Sequence, residues 1–274
     1  MNTKSLVIKA GQANRQYWQD LWRYRELLYF LAWRDILVRY KQTTVGIVWA
    51  LLRPFISMVV FTAIFAGIAR LSSEGAPYPI LVFSAMLPWQ FFASALTDCS
   101  NSLINDSNLI SKVYFPRLLV PIGSVVVNFV DLLISGIILL GLMAWYAFMP
   151  NWHILTLPFF ALLAFAVTIG GGLWFAALNV EYRDFRYVVP FIVQLGFFIS
   201  PVGFSSDRIP EQWRLLYSIN PLVGIIDGFR WAILGGATQI YWPGFLLSIL
   251  VALAVLWSGI AYFRATERKF ADVI

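Results

Sequence analysis

Long apolar stretches, each bounded by polar or basic residues, set the rhythm of this chain. Six of them fall at about Val45–Ala69, Ile80–Leu96, Leu118–Phe148, Ile154–Leu178, Val188–Phe204 and Pro243–Phe263. A helix needs about 20 apolar residues to cross a bilayer, so each stretch predicts a membrane-spanning helix. The third is long enough to tilt or to protrude past the hydrocarbon. Pro121, Gly123, Gly136 and Gly141 give it places to bend or to pack closely.

Two regions follow a different pattern. Tyr17, Leu21, Tyr24, Leu28 and Leu31 recur at helical spacing, while Arg15, Arg23, Arg25 and Glu26 occupy the other faces. This predicts an interface helix over residues 15–40, lying along the membrane rather than across it. Between the fifth and sixth stretches lie "WRLLYSI" and "PLVGIIDGFRWAIL", both too short to span. Pro210 follows Asp207 and Pro221 follows Asn220, which is helix-entry chemistry. They read as re-entrant half-helices, which persist only when buried in protein or lining a wet cavity. The expected fold is an all-α integral membrane protein. Its single domain, 1–274, comprises the interface helix, a six-helix bundle over 45–263 and a tail over 264–274.

Composition reinforces this picture. The chain is 60% hydrophobic and 12% charged, against about 25% charged in soluble domains. No water-soluble core could hide so many apolar runs. A single cysteine, Cys99, excludes an intramolecular disulfide, and a single histidine, His153, argues against a His/Cys metal site. The first thirty residues lack the apolar core and cleavage site of a signal peptide, so the N-terminus is expected to be retained.

Charge sets the expected orientation. With the N-terminus placed inside, sixteen of the 20 lysines and arginines fall on the cytoplasmic side; only Arg70, Arg208, Arg214 and Arg230 fall outside. Both termini are then cytoplasmic. The densest basic segment is "RDILVRYKQTTVGIVWALLRP", which sets Arg34, Arg39, Lys41 and Arg53 around Asp35, just before the first apolar run. Such a cluster anchors topology and attracts anionic lipid headgroups.

The chain has no GxxxxGK[ST] loop and no GxSxG, HExxH or paired-cysteine motif. Any energy it uses must come from another chain. "GGG" at Gly170–Gly172 sits inside an apolar stretch and reads as close helix packing. Polar groups within membranes are expensive, which singles out Arg53 and the pair Asn128 and Asp131, one helical turn apart. Two readings stay open. Arg53 receives an anionic group and Asp131 lines its path; or Arg53 snorkels to the headgroups and the polar residues satisfy one another between helices. Aromatic residues make up 17% of the chain, and Trp49, Trp89, Phe91, Phe92 and Trp174 lie within apolar stretches. Their flat faces suit the C–H faces of sugars; ordinary helix packing is the competing reading, and the stronger one for any single residue. "NDSNLISKVYFPR" reads as a capped short helix ending before Pro116, and "VEYRDFRY" as a charged connector. Both are suited to docking a cytosolic partner.

Five segments, in order, carry a resemblance: "RDILVRYKQTTVGIVWALLRP", "LPWQFF", "KVYFPRLLVP", "EYRDFRYVVPFIVQLGFFISPVGF" and "NPLVGIIDGFR". Together they resemble the membrane subunit of ABC-2-type polysaccharide exporters, in particular O-antigen permeases of the Wzm type, with capsule and teichoic-acid permeases as relatives. The resemblance covers nearly the whole chain. It implies a homodimer with two separate ATPase subunits, which hold ATP and magnesium, and no cofactor or catalysis in this chain. It implies export of undecaprenyl-pyrophosphate-linked polysaccharide across the bacterial inner membrane.

The resemblance also implies site residues. Arg34, Arg39, Lys41 and Arg53 become candidates for the substrate head group. Trp49, Trp89, Phe91, Phe92, Asn128, Asp131, Trp174, Phe197 and Phe198 become candidates for lining the channel. Asn105, Asp106, Leu109, Lys112 and Tyr114, with Arg183 and Asp184, become candidates for coupling to the ATPase. Trp213, Asn220, Pro221 and Arg230 fall in the implied outer gate. Three other functions compete. An ABC-2 exporter of small lipids or drugs fits the dense aromatics and these motifs less well. A membrane enzyme acting on polyprenyl phosphates needs acid or histidine clusters, and the chain has one histidine. An ion channel needs charged rings or a filter loop.

Overall fold

A computed structural model describes residues 13–41, 46–64, 76–236 and 238–270, apart from a few side chains near the N-terminus and in the first apolar stretch. Among the described residues the chain is helical, with no strand. The helices are α1 (Ala13–Arg23), α2 (Arg25–Lys41), α3 (Gly46–Thr62), α4 (Tyr78–Asn105), α5 (Ser107–Lys112) and α6 (Leu119–Trp145). Then come α7 (Leu157–Glu181), α8 (Phe185–Ile199), α9 (Glu211–Tyr217), α10 (Pro221–Ile233) and α11 (Trp242–Thr266).

Among the described residues, four helical segments are long and apolar enough to cross a membrane: Tyr78–Asn105, Leu119–Trp145, Trp152–Glu181 and Trp242–Lys269. The other two predicted spans differ from expectation. The first is helical over Gly46–Thr62, and residues 65–75 lie outside the described residues. The fifth begins early, at Phe185, and stops at Ile199. Ser200 turns extended, with φ −87° and ψ 151°, because Pro201 disfavours the helical region for the residue before it. Fifteen residues give a rise of only about 22 Å.

The second span runs past its apolar stretch for a local reason. Thr97 and Asn101 donate to the carbonyls one turn back at 2.8 and 2.9 Å, and Ser100 and Ser102 each donate to the carbonyl three residues back at 2.8 Å. Polar side chains bonded in this way continue the helix without exposing unpaired groups.

α4 is the hub. Nearly every residue from Tyr78 to Phe91 is buried, against α6, α7 and α10. A helix apolar all round is one that protein surrounds. α6 and α11 are just as apolar, yet Leu133, Ile137 and Leu140 on one, and Leu246, Leu250, Leu253 and Trp257 on the other, are exposed. Those stripes suit lipid contact.

Glycines let the backbones meet. A Cβ on Gly259 of α11 would lie 2.1 Å from the carbonyl oxygen of Gly170 in α7, and one on Gly170 would lie 2.6 Å from the Leu256 backbone. A Cβ on Gly172 would lie 2.4 Å from Cys99 Sγ in α4. The triple glycine is therefore a packing surface. Asn179 of α7 adds polar bonds to α4, donating to the Ser100 carbonyl and Asn101 Oδ1 at 3.0 Å each.

The N-terminal stripe turns inward. The chain breaks at Tyr24 into α1 and α2, and Tyr17, Leu21, Tyr24, Leu28 and Leu31 pack on the core. The faces turned outward carry Trp18, Trp22, Tyr29, Phe30 and Trp33, all exposed.

At the opposite end, α10 is wedged among α4, α7 and α11. Asn220 caps it, accepting from Leu222 N at 3.1 Å, with Pro221 in the first position. Its end is a glycine stop: Gly235 and Gly236 have φ of 66° and 83°, and Gly236 N–H bonds the Trp231 carbonyl at 3.0 Å. α9 behaves otherwise. Pro210 occupies the capping position itself without a side-chain cap, and Asp207 does not cap the helix. Arg214 instead holds the turn, donating to the Asp207 and Ile209 carbonyls at 2.6 and 2.9 Å.

Candidate functional site

The connections α4–α5–α6 and α7–α8, together with the end of α11, gather at one end of the bundle, where α1 meets the turn after α11 and α2 packs along α6. α2 is fastened there by two arginines. Arg34 bonds Asp35 Oδ1 at 2.8 Å and Asp106 Oδ1 and Oδ2 at 2.9 and 3.2 Å. Asp106 occupies the capping position of α5, yet its carboxylate serves Arg34 rather than α5's amides. The expected cap is thus a tie between α2 and the short connector helix. The hydrogen bond that Arg34 donates to Asp35 leads the effects that raise the pKa of Arg34 above the ordinary guanidinium value.

Arg39 reaches further in. Its guanidinium bonds Asp98 Oδ2 of α4 at 2.7 Å, Asn128 Oδ1 of α6 at 3.3 Å, and the Asp131 carboxylate. Asn128 Nδ2 donates to the same Asp98 oxygen at 2.8 Å, and Tyr40 Oη donates to Asp131. Burial works against charge on Arg39, but Asp131 and Asp98 outweigh it, so its pKa rises. One fork therefore clasps three helices, a geometry that suits arginine and not lysine.

A third tie joins the N-terminal helix to the C-terminal turn. Tyr17 Oη donates to Glu267 Oε2 at 2.9 Å, and Arg117 bonds the Glu267 carbonyl. The Arg264 guanidinium lies 4.6 Å from the centre of the Tyr17 ring. Burial, then the Glu267 carboxylate, raises the pKa of the Tyr17 phenol.

These contacts revise several sequence expectations. Arg34 and Arg39, expected as head-group candidates, are engaged by carboxylates, so neither offers an anion an unshared positive charge. Lys41 is exposed at the end of α2, and the side chains of Arg53 and Trp49 lie outside the described residues. Asn128 and Asp131 belong to the clasp, which favours the reading in which polar residues satisfy one another. Phe91 is 3% exposed and packed against Phe129 and Phe165, so it faces no passage. Trp174 stacks on Tyr262 of α11 at 4.2 Å and donates to Ser258. Trp89, Phe92 and Phe197 do come together, with Trp89 and Phe197 centres 5.6 Å apart, and Phe61 of α3 joins them. Phe198, next to this cluster, is exposed. Sequence reasoning missed Asp98. The signal was available: it is the only acidic residue in α4.

Of the coupling candidates, Asn105, Lys112, Tyr114, Arg183 and Asp184 are exposed, and Leu109 packs on the core. Of the gate candidates, Trp213 is exposed, while Arg230 is buried. Arg230 donates to the Phe204 and Val202 carbonyls at 2.7 and 2.9 Å. Asn220 Nδ2 bonds Ser200 Oγ at 3.0 Å, and Tyr217 bonds the Ile199 carbonyl at 2.7 Å. Arg230 is a strut under the end of α8 rather than a residue facing an opening. Replacing Arg230 by methionine leaves two carbonyls without this donor and is expected to cost about 2 kcal/mol or more. A lower unfolding midpoint in detergent, with faster proteolysis over 200–210, checks this.

Residues 26–234 match the family described as ABC-2 type transporter, more than half of the chain. The chain belongs to that family. Among proteins similar to this ABC-2 chain is an O-antigen export system permease protein, RfbA, of Myxococcus xanthus. It is 26% identical over 258 residues, covering 93% of this chain and 98% of the relative. A Klebsiella pneumoniae protein of the same name is 27% identical over 259 residues, covering 91% and 95%. The polysialic acid transport protein KpsM of Escherichia coli is 25% identical over 241 residues, covering 85% and 91%.

Proposed function

We propose that this chain is the membrane permease of an ATP-driven exporter that moves a polysaccharide linked to undecaprenyl pyrophosphate, of the O-antigen type, across the bacterial inner membrane. The alignment with relatives named for O-antigen export, nearly end to end, carries this reading. The relative named for polysialic acid transport supports a capsule polymer as the second reading. Two copies assemble, each with six crossings, so that α3 and α8 count as short spans. Their exposed residues, among them Phe55, Val59, Phe191 and Phe198, then face the passage and the second copy. α9 and α10 form the outer, re-entrant side. The basic end faces the cytoplasm, and both termini lie there.

Two separate ATPase subunits bind ATP and magnesium and dock on the exposed residues around α5 and the α7–α8 connection. The permease itself is a conduit, not an enzyme. α5 transmits movement to α2 through Asp106 and Arg34, and from α2 to α4 and α6 through Arg39. Lys41 and Arg53 remain the basic residues proposed to receive the pyrophosphate.

Leu109→Pro removes the Leu109 N–H, which bonds the Asp106 carbonyl at 2.9 Å, and breaks α5 at a cost of about 3 kcal/mol. The variant is expected to insert normally but to lose transport and stimulation of the partner ATPase. Normal transport would remove α5 from coupling. In cells, deleting the permease is expected to leave lipid-linked polymer accumulating at the cytoplasmic face and absent from the surface. Normal surface polymer in that strain would overturn the proposed function.

A further inference from the structure

The outward side of the third tie holds a groove that the export reading does not use. It is an open cavity of about 540 Å³ between α1 and α11, lined by Trp18, Trp257, Ile260, Ala261, Arg264, Ala265 and Arg268. Its two ends differ in chemistry. Arg264 and Arg268 stand one helical turn apart at the basic end. The Arg264 guanidinium is oriented by aromatic faces, 4.6 Å from the Tyr17 centre and 5.8 Å from that of Trp18. The one carboxylate in that turn, Glu267, accepts from Tyr17 and interacts electrostatically with Arg264, Arg117 and Arg268, so one anion faces three cations there. Away from the arginines the groove opens onto Trp257, and the exposed stripe of Leu253, Leu250 and Leu246 continues along α11.

We propose that this groove binds an anionic glycerophospholipid of the membrane. The phosphate would sit between Arg264 and Arg268, and an acyl chain would lie along the Trp257–Leu246 stripe. Two charged donors at one end and a long apolar track at the other match a molecule with one anionic head and long chains. A soluble phosphate would use only the first half, and a zwitterionic lipid lacks the net charge that the arginines favour. Trp18 and Trp257 flank the boundary, where indole rings prefer to lie. A lipid seated here would touch both α1 and α11, so it would reinforce the attachment of the N-terminal helix.

The test uses the full chain in detergent, exchanged into phosphatidylglycerol or phosphatidylcholine, washed, and weighed by native mass spectrometry. Phosphatidylglycerol is expected to stay bound where phosphatidylcholine is washed away. Arg268→Glu, on an exposed side chain, is expected to reduce retention about tenfold or more, and Trp257→Ala to reduce it as well. Arg186→Glu, which reverses a charge at the same end but outside the groove, should leave retention unchanged. Size-exclusion profiles in phosphatidylcholine micelles confirm that each variant is folded. Equal retention of the two lipids overturns the proposal. So does unchanged retention in Arg268→Glu, or equal loss in Arg186→Glu, which would mark general attraction. Displacement by an equal concentration of inorganic phosphate would assign the site to a free anion and overturn the lipid.

Discussion

Replacing Gly259 by alanine is expected to cut the yield of folded permease to a small fraction of the parent's. The new methyl would fall 2.1 Å from the Gly170 carbonyl oxygen and 2.8 Å from its carbonyl carbon. Backbone atoms cannot rotate away as a side-chain tip can, so α7 and α11 must separate. Overpacking ordinarily costs about 1–3 kcal/mol, and a backbone clash between two long helices belongs at or above the top of that range. The same separation would pull apart the Trp174 and Tyr262 rings, which stack between α7 and α11. Gly136→Ala in α6 is the control, because nothing lies within 4 Å of its added Cβ. It should be neutral. Fluorescence-detected size exclusion and unfolding midpoints in detergent report both. A Gly259→Ala protein as abundant and stable as the Gly136→Ala protein would refute the close α7–α11 contact.

The second large effect is expected at Arg39. Arg39→Met leaves the Asp98 and Asp131 carboxylates facing each other across α4 and α6 without the cation between them. The three side chains are 36%, 39% and 29% exposed, so the cost falls between that of a surface pair, about 1 kcal/mol, and that of a broken buried pair, about 3–5 kcal/mol. We expect about 2 kcal/mol, with export lost because α2 no longer holds to the bundle. Arg39→Lys keeps the charge but cannot reach three acceptors and should fall in between. A double-mutant cycle with Asp131→Asn isolates the clasp. The two losses should be far from additive, since either change alone disrupts the same pair. Additive losses would mean that Arg39 and Asp131 act separately.

What could be read from the sequence follows from the range of each signal. Hydrophobic runs report local environment, so the four long spans, a helical N-terminal segment and the short α5 were foreseen in outline, whereas the break at Tyr24 that splits that segment into α1 and α2 was not. The Asn220–Pro221 start of α10 was legible too, because a cap is set by adjacent residues. The end of α8 was placed five residues late. Hydropathy continues smoothly through Pro201, while the backbone preference of Ser200 does not. Partnerships were the hardest to see. Arg34 and Arg39 looked like uncovered charge, because their acceptors Asp106, Asp98 and Asp131 lie 72, 59 and 92 residues away. Phe91 and Trp174 looked like Trp89 and Phe197, because composition does not say which side of a buried helix faces another helix. Asp106 had the right position to cap α5, and only the fold shows that Arg34 takes its carboxylate.

If an ATPase drives this chain to carry a lipid-linked polymer, the movement is visible directly in membranes that hold both proteins. The most direct measurement uses inverted inner-membrane vesicles containing the permease and its partner ATPase, supplied with radiolabelled polymer on undecaprenyl pyrophosphate. ATP is expected to move label into a protected lumen, a non-hydrolysable analogue is expected not to, and vesicles lacking either protein are expected to stay empty. Label that enters equally without ATP, or equally without the permease, would contradict it.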